Sequence, residues 1–158
     1  MTANMGVDDE IQTEVLRFVN AYKCWASGTT EKNLDTFERE FASRLSDDFS
    51  CVMPGGDVNN KDKFLRITTL GYGRAKELEI FIDEFQVLNK LTDTLTLVSY
   101  REIQKEPGRN VVRRTTAILE STTTDDGSTF IVWKHLHWTW IEPPSEDKKP
   151  KRGELASG

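Results

Sequence analysis

The last apolar run of the chain, Phe130 to Ile141 (FIVWKHLHWTWI), most constrains the fold, because it holds both histidines and three of the four tryptophans. Side chains of a strand point alternately to its two faces. Strict alternation places both histidines on one face, with Ile131, Trp133, His135, His137 and Thr139. The other face then carries Val132, Leu136, Trp138 and Trp140. Since both faces are largely apolar, the run predicts a strand of a curved sheet that wraps a helix or forms a pocket wall.

Length and charge indicate one ordinary domain. A chain of 158 residues with 37% hydrophobic content buries one core rather than two. The net charge of -5 disfavours a nucleic-acid partner, and no run reaches the ~18 apolar residues that cross a bilayer. Two cysteines, Cys24 and Cys51, are too few for a disulfide scaffold or zinc module. We therefore expect a cytoplasmic protein with no cofactor, no nucleic-acid partner and no membrane partner.

The first part of the chain has helical spacing. Apolar side chains recur every three or four residues at Ile11, Val15, Phe18, Tyr22 and Trp25. Gly28 ends this predicted helix, and a second is predicted from about Thr30 to Leu45 with Leu34 on its inner side. A short strand around Phe49 to Met53 follows, and then a third helix capped by Asn59 or Asn60.

The second part changes to strand spacing. Four runs rich in valine, isoleucine, threonine and aromatic residues follow: Leu78 to Leu88, Thr94 to Ile103, Asn110 to Thr122 and Ser128 to Ile141. Hairpin-type turns such as Asp125-Asp126-Gly127 separate them. Helices followed by an antiparallel meander indicate an α+β fold. We expect one domain over residues 8–141, between a flexible lead (1–7) and a disordered, charged tail (142–158).

This order of elements resembles the nuclear transport factor 2-like superfamily, a cone-shaped α+β fold. Within it, the chain is similar to SnoaL-like domains and to the association domain of calcium/calmodulin-dependent kinase. The resemblance covers Asp8 to Ile141, and two strand motifs carry it: Trp133 before the pair His135 and His137, and the run Arg113 to Thr116. It implies N-terminal helices packed on a strongly curved antiparallel sheet. Members include isomerases, cyclases, dehydratases and assembly modules, so the fold leaves the activity open.

The two histidines are the candidate catalytic residues. On a shared face, His135 and His137 would act as a base and its neighbour. Metal binding is disfavoured because the chain offers no further local ligands. The alternative is that one or both are core or interface histidines bonded to backbone or to an acid.

Six residues are candidate ligand contacts: Tyr22, Trp25, Met53, Tyr100, Arg113 and Trp133. Arg113 and Arg114 point to opposite faces, so one of them reaches the cavity and could bind a carboxylate. The alternative for the arginine is an internal pair with Glu102 or Glu120. The resemblance to steroid isomerases implies an oxyanion-hole role for Tyr22, whose alternative is core packing.

The catalytic aspartate of the steroid isomerases has no counterpart at its usual position in this chain. It precedes a proline at the end of the first strand, and here that position is Met53, before Pro54. A thioether cannot accept a proton at neutral pH, so isomerase chemistry would require Asp57, which lies past two glycines, to reach the cavity by folding of its loop.

Two functions remain open at this point. The first is a homodimeric domain with an apolar pocket for a small hydrophobic or carboxylate-bearing molecule, acting as an isomerase, cyclase or dehydratase. The second is a non-catalytic assembly module that dimerises through the sheet face. The motivating residues are four side chains that would otherwise form an exposed apolar patch: Val132, Leu136, Trp138 and Trp140. The basic run Lys148 to Arg152 resembles a nuclear-import signal and would matter only in a eukaryotic source.

Overall fold

Three helices and six strands make up the protein, whose computed structural model describes residues 6–144. The helices are α1 (Val7–Ser27), α2 (Leu34–Glu40) and α3 (Lys61–Leu70), and a short 3₁₀ turn (Ala42–Arg44) follows α2. The strands are β1 (Leu45–Val52), β2 (Val58–Asn60), β3 (Glu79–Lys90), β4 (Leu95–Glu106), β5 (Arg109–Thr123) and β6 (Thr129–Glu142). Most of the predicted lead and tail, with the basic run Lys148 to Arg152, lies outside the described residues.

Local capping residues explain several of the observed helix ends. Gly28 ends α1 with φ 73°, a left-handed conformation that glycine adopts without steric cost. The Asn60 side chain accepts the backbone N–H of Lys63 at 2.9 Å and begins α3, as predicted. The second helix is shorter than predicted. Asn33 is its N-cap, so α2 begins at Leu34 and not at Thr30, and the chain leaves helical geometry at Phe41. Leu34, predicted to face inward, is exposed.

The six strands form one sheet in the order β2-β1-β6-β5-β4-β3. Strands β3 to β6 are an antiparallel meander, as predicted, whereas β1 joins β6 in parallel. The sheet is therefore not wholly antiparallel. It curves around α1, and its inner face is the one that contacts the helices. The α+β fold class is confirmed, and among residues 6–144 no helix is long and apolar enough to cross a membrane.

A β-bulge in β6 changes which side chains face inward. Ile118 of β5 lies opposite His135, but the next residue, Leu119, lies opposite Trp133, so Lys134 is an extra residue in β6. One extra residue reverses the faces of all residues beyond it. The inner face therefore carries the buried side chains Ile131, Trp133, Leu136 and Trp138. The outer face carries His135, His137 and Thr139, so the predicted strict alternation is wrong.

The core lies between the helices and the inner face, and aromatic rings dominate it. Phe18 of α1 stacks on Phe41 at 4.5 Å between ring centroids and lies 4.3 Å from Trp133. Phe64 of α3 packs against Phe49 of β1 at 5.3 Å. These contacts pack α1 and α3 against the inner face of the sheet.

Candidate functional site

A cavity lies inside the cone, between the inner face of the sheet and helices α1 and α3. Its volume is about 60 Å³, enough for a few ordered waters or part of a compact organic molecule. Apolar side chains form much of its wall: Phe18, Val19, Met53, Phe64, Leu78 and Leu136. Its mouth lies between the segment after α3 and the β4–β5 turn, where the lining residues Arg74, Ala75, Glu106 and Arg109 are exposed or partly exposed.

A buried ion pair crosses the inner wall. Glu102 of β4 and Arg113 of β5 lie opposite each other in the sheet, and their side chains are 5% and 4% exposed. Arg113 Nε donates to Glu102 Oε2 at 2.6 Å, and Nη2 lies 2.5 Å from the same oxygen. Gln104 Nε2 also donates to this oxygen, at 2.7 Å. Arg113 is therefore the inward arginine, and its internal pairing with Glu102 was one of the predicted alternatives.

Three other polar atoms of the wall have no hydrogen-bond partner among the described residues. They are Arg113 Nη1, Trp138 Nε1 and Asn59 Oδ1. The Arg113 guanidinium also lies 4.8 Å from the centroid of the Trp138 ring. The two donors, on Arg113 and Trp138, therefore belong to neighbouring side chains. Buried polar atoms without partners are rare in folded proteins. The three atoms are therefore candidate hydrogen-bond partners for a bound molecule or an ordered water.

Two tyrosines add hydroxyl groups to the same cavity. Tyr22 comes from α1 and Tyr100 from β4, two residues before Glu102. Burial raises the pKa of both phenols, and for each the nearby Arg113 charge opposes that shift only in part. Both are therefore neutral at physiological pH and can donate a hydrogen bond. The predicted position of Tyr22 on the cavity wall is correct, and its oxyanion-hole role stays a prediction.

Two of the predicted ligand contacts lie elsewhere. Trp25 is buried and its Nε1–H donates to the backbone carbonyl of Thr68 at 2.9 Å, which ties α1 to α3. Trp133 is fully buried against Phe18 in the core. Neither ring lines the cavity, so the interpretation of these two tryptophans as cavity residues is corrected. Met53 does line it, as expected.

The two histidines also lie outside the cavity, on the outer face of the sheet. His135 Nδ1 is 2.9 Å from Ser50 Oγ of β1, and the two imidazole centroids are 6.5 Å apart. Burial, and then the neighbouring His137, lowers the pKa of His135. Among residues 6–144 no group of three or more acids, cysteines or histidines could hold a metal ion. A catalytic role for the pair inside the cone has no support from this geometry, because the bulge at Lys134 turns both rings outward.

Sequence reasoning missed several cavity residues. Trp138 was predicted on the opposite face, because strict two-residue alternation along the sequence does not reveal a β-bulge. Gln104 and Asn59 were not considered as cavity residues. One signal was present, since Tyr100, Glu102 and Gln104 alternate along one strand and so share a face.

The solved structures to which this protein is similar share its fold. An NTF-2 like protein of unknown function from Pseudomonas aeruginosa matches with a TM-score of 0.73 and 26% identity, over 83% of this chain and 98% of that one. A ketosteroid isomerase-like protein from Erwinia carotovora atroseptica matches with a TM-score of 0.56 and 12% identity, over 90% and 100%. The CaMKII hub of S. rosetta matches with a TM-score of 0.65 and 11% identity, over 88% and 100%.

These similarities place the chain, by its fold, in the nuclear transport factor 2-like superfamily, as predicted. No protein-family model matches the sequence, and no curated protein matches it either. Since identities this low carry the fold and not the activity, the function has to be argued from the cavity itself.

Proposed function

We propose that the protein binds a small organic molecule whose apolar body lies in the cavity and whose one neutral polar group reaches Arg113 and Trp138. The observation that carries this proposal is the pair of unpartnered donors, Arg113 Nη1 and Trp138 Nε1, in an otherwise largely apolar cavity. A carbonyl or hydroxyl oxygen would accept from them, and buried donors gain more from such a bond than exposed ones.

The apolar wall supplies the affinity. Rings and aliphatic groups from α1, α3 and β6 surround the space. Burying apolar ligand surface against them contributes about 25 cal/mol for each Å² removed from water. Pockets of this kind, with apolar walls and a few polar groups, are typical of small-molecule sites.

The charge balance favours a neutral group at the inner end. Glu102 already neutralises Arg113 through two close contacts. A ligand carboxylate placed there would be desolvated and would also face the Glu102 carboxylate. We therefore propose that no carboxylate binds at this end, although the sequence left that alternative open.

Binding rather than proton transfer is the activity that the cavity supports best. Met53 occupies the position of the isomerase base, and both histidines are outside. The Oε2 atom of Glu102 already accepts hydrogen bonds from Arg113 and Gln104. Tyr22 and Tyr100, as neutral phenols, can orient a ligand oxygen.

A direct test uses phenol, a neutral one-ring molecule with one hydroxyl. Titration followed by amide chemical shifts should show saturable binding, with the largest changes at α1, α3 and β4. The change Ala75→Leu at the mouth should weaken binding about tenfold, because it occupies part of the space. Ala21→Leu is the matched control, since Ala21 is outside this cavity. Absence of saturation, or equal affinities in the two variants, would reject the proposal.

The phenol of Tyr22 can be tested in the same way. Tyr22→Phe removes one hydroxyl and leaves the ring in place. If the hydroxyl donates to the ligand, affinity for phenol should fall about 3- to 10-fold. An unchanged affinity would assign Tyr22 to packing alone.

A second proposal is that two copies of the chain pair through the outer face. Leu136 and Trp138, which suggested this face from the sequence, are buried in the core instead. What remains is a smaller strip of partly buried apolar side chains, Val112, Ile118 and Val132, beside His135. These residues lie on the two central strands of the sheet, and a two-fold contact between two copies would bring the same residues of each together.

Sedimentation equilibrium tests the dimer. Ile118→Glu places a charge in the middle of the strip and should produce a monomer, because an unpaired charge in an interface is costly. Val58→Glu, at a well-exposed apolar residue of β2, is the matched control and should leave the dimer intact. A parent protein that sediments as a monomer would remove this proposal.

A further inference from the structure

We infer that the ligand is amphipathic and that it carries an anionic group, of the carboxylate type, which stays at the mouth of the cavity. This inference rests on the proposed binding function and adds the class and orientation of the ligand. The apolar body would lie inside, and the anion would remain hydrated between cationic side chains outside.

The mouth continues directly into a second, more open groove. The two spaces share Leu78 and Glu106 as lining residues. Three lysines line the groove, Lys23 of α1, Lys76 of the segment after α3 and Lys105 of β4. A molecule that leaves the cavity past Leu78 therefore meets these lysines.

The charges of the mouth and groove are unbalanced in favour of cations. Arg74 and Arg109 at the mouth join the three lysines, giving five cations, whereas the carboxylates are three: Glu77, Glu79 and Glu106. The difference, 5 - 3 = +2, contrasts with the net charge of -5 of the chain. Such a local excess attracts anions.

Most of these cations have no carboxylate partner within the described part of the chain. Arg109 Nη1 lies 3.4 Å from Glu106 Oε1. Arg74 and the lysines 23, 76 and 105 form no ion pair with any residue between 6 and 144. Lys105 Nζ lies 5.5 Å from the centroid of the Phe81 ring, whereas the charges of Arg74, Lys23 and Lys76 remain available to a ligand.

The inner end is unsuited to the same anion. Arg113 is already paired with Glu102, and the surrounding wall is buried. Moving a carboxylate from water into such a site is costly, whereas at the mouth it keeps part of its hydration. The two ends of the cavity thus favour one orientation, with the anion outward.

Two probes with the same chain length test the inference, sodium hexanoate and 1-hexanol. Both carry a chain of six carbons, and only hexanoate is charged at neutral pH. In amide chemical-shift titrations at low ionic strength, hexanoate should bind about 3- to 10-fold more tightly. This preference should shrink at about 0.5 M salt, because exposed charges are screened there.

A double variant locates the anion. Arg74→Gln with Lys76→Gln should remove the preference for hexanoate, so that the two probes bind this variant with equal affinity. The matched control is Lys63→Gln with Arg66→Gln on α3, which makes the same change of charge at exposed residues outside both spaces. It should keep the preference.

The outcomes separate this inference from the proposed function. If hexanol binds and hexanoate binds no better, the inference is wrong and the binding function stands. If neither probe binds, the proposed function fails and the inference fails with it. A preference that survives in the mouth double variant overturns the assignment to the mouth. Acetate binding as tightly as hexanoate would also overturn the inference, since the six-carbon alkyl chain of the probe would then contribute nothing to binding.

Discussion

The two faces of the sheet each carry an arginine-carboxylate pair, and the surroundings of the two pairs differ. Arg101 and Glu102 are consecutive on β4 and point to opposite faces. On the outer face Arg101 pairs with Asp83, with side chains 35% and 42% exposed. On the inner face Glu102 pairs with Arg113, at 5% and 4%. The same kind of ion pair is therefore a solvated surface contact on one face and part of a buried cavity wall on the other.

The largest expected effect concerns packing on the inner face. Trp133→Ala should lower the free energy of unfolding by about 3–5 kcal/mol, because it leaves a cavity beside Phe18. His137→Ala on the outer face of the same strand should change it by less than about 0.5 kcal/mol. Urea unfolding of both variants measures the difference. Similar losses of unfolding free energy in the two variants would contradict the inward orientation of Trp133 and the outward orientation of His137.

The inner ion pair should come next. Arg113→Met leaves the Glu102 carboxylate buried with only Gln104 as its partner, and should cost about 3 kcal/mol in urea unfolding. The double change Glu102→Leu with Arg113→Met should recover most of this loss, because it removes both charges. A single variant as stable as the parent would show that water reaches the pair.

The outer ion pair should have little effect. Asp83→Asn removes the carboxylate to which Arg101 donates, but both side chains are solvated and Glu84 lies nearby. We expect the urea midpoint to stay within error of the parent value at physiological salt. A clear decrease would place this pair inside a contact with another copy of the chain, which sedimentation at two protein concentrations would reveal.

The smallest effect should appear as a pH dependence. Burial lowers the pKa of His135 in the folded protein, so the unfolded chain binds its proton more tightly. The resulting stability is present above the unfolded pKa, near 6.5, and is lost as the pH falls through the lower folded value. His135→Gln should therefore flatten the stability curve between about pH 7 and pH 5. An unchanged slope would assign the dependence to other groups.

Much of the fold was predictable from local patterns. The apolar stripe from Ile11 to Trp25, the cap at Asn60 and the four long strands all match the structure to within a few residues. These features depend on neighbours in the sequence, through helix capping and periodicity. The three-residue strand β2 and the early end of α2 were missed, since segments this short carry little periodic signal.

The candidate site was predicted less well than the fold. Tyr22, Met53, Tyr100 and Arg113 line the cavity as expected, whereas Trp25, Trp133 and the two histidines do not. The error in β6 has one cause, the extra residue Lys134, which exchanges the two faces beyond it. No single residue in the run signals that insertion, because the bulge is fixed by pairing with β5 and β1.

The parallel pairing of β1 with β6 also predicts an order of folding. Strands β3 to β6 can pair one after another through short turns. Ser50 of β1 and His135 of β6, in contrast, are separated by 85 positions in the chain. Contacts between such distant segments form slowly, because a long loop must close first. We therefore expect the cone to close after the meander has formed, with the cavity completed in that late step. A ligand that binds there would stabilise the last contact to form, so it would slow unfolding more than it speeds folding.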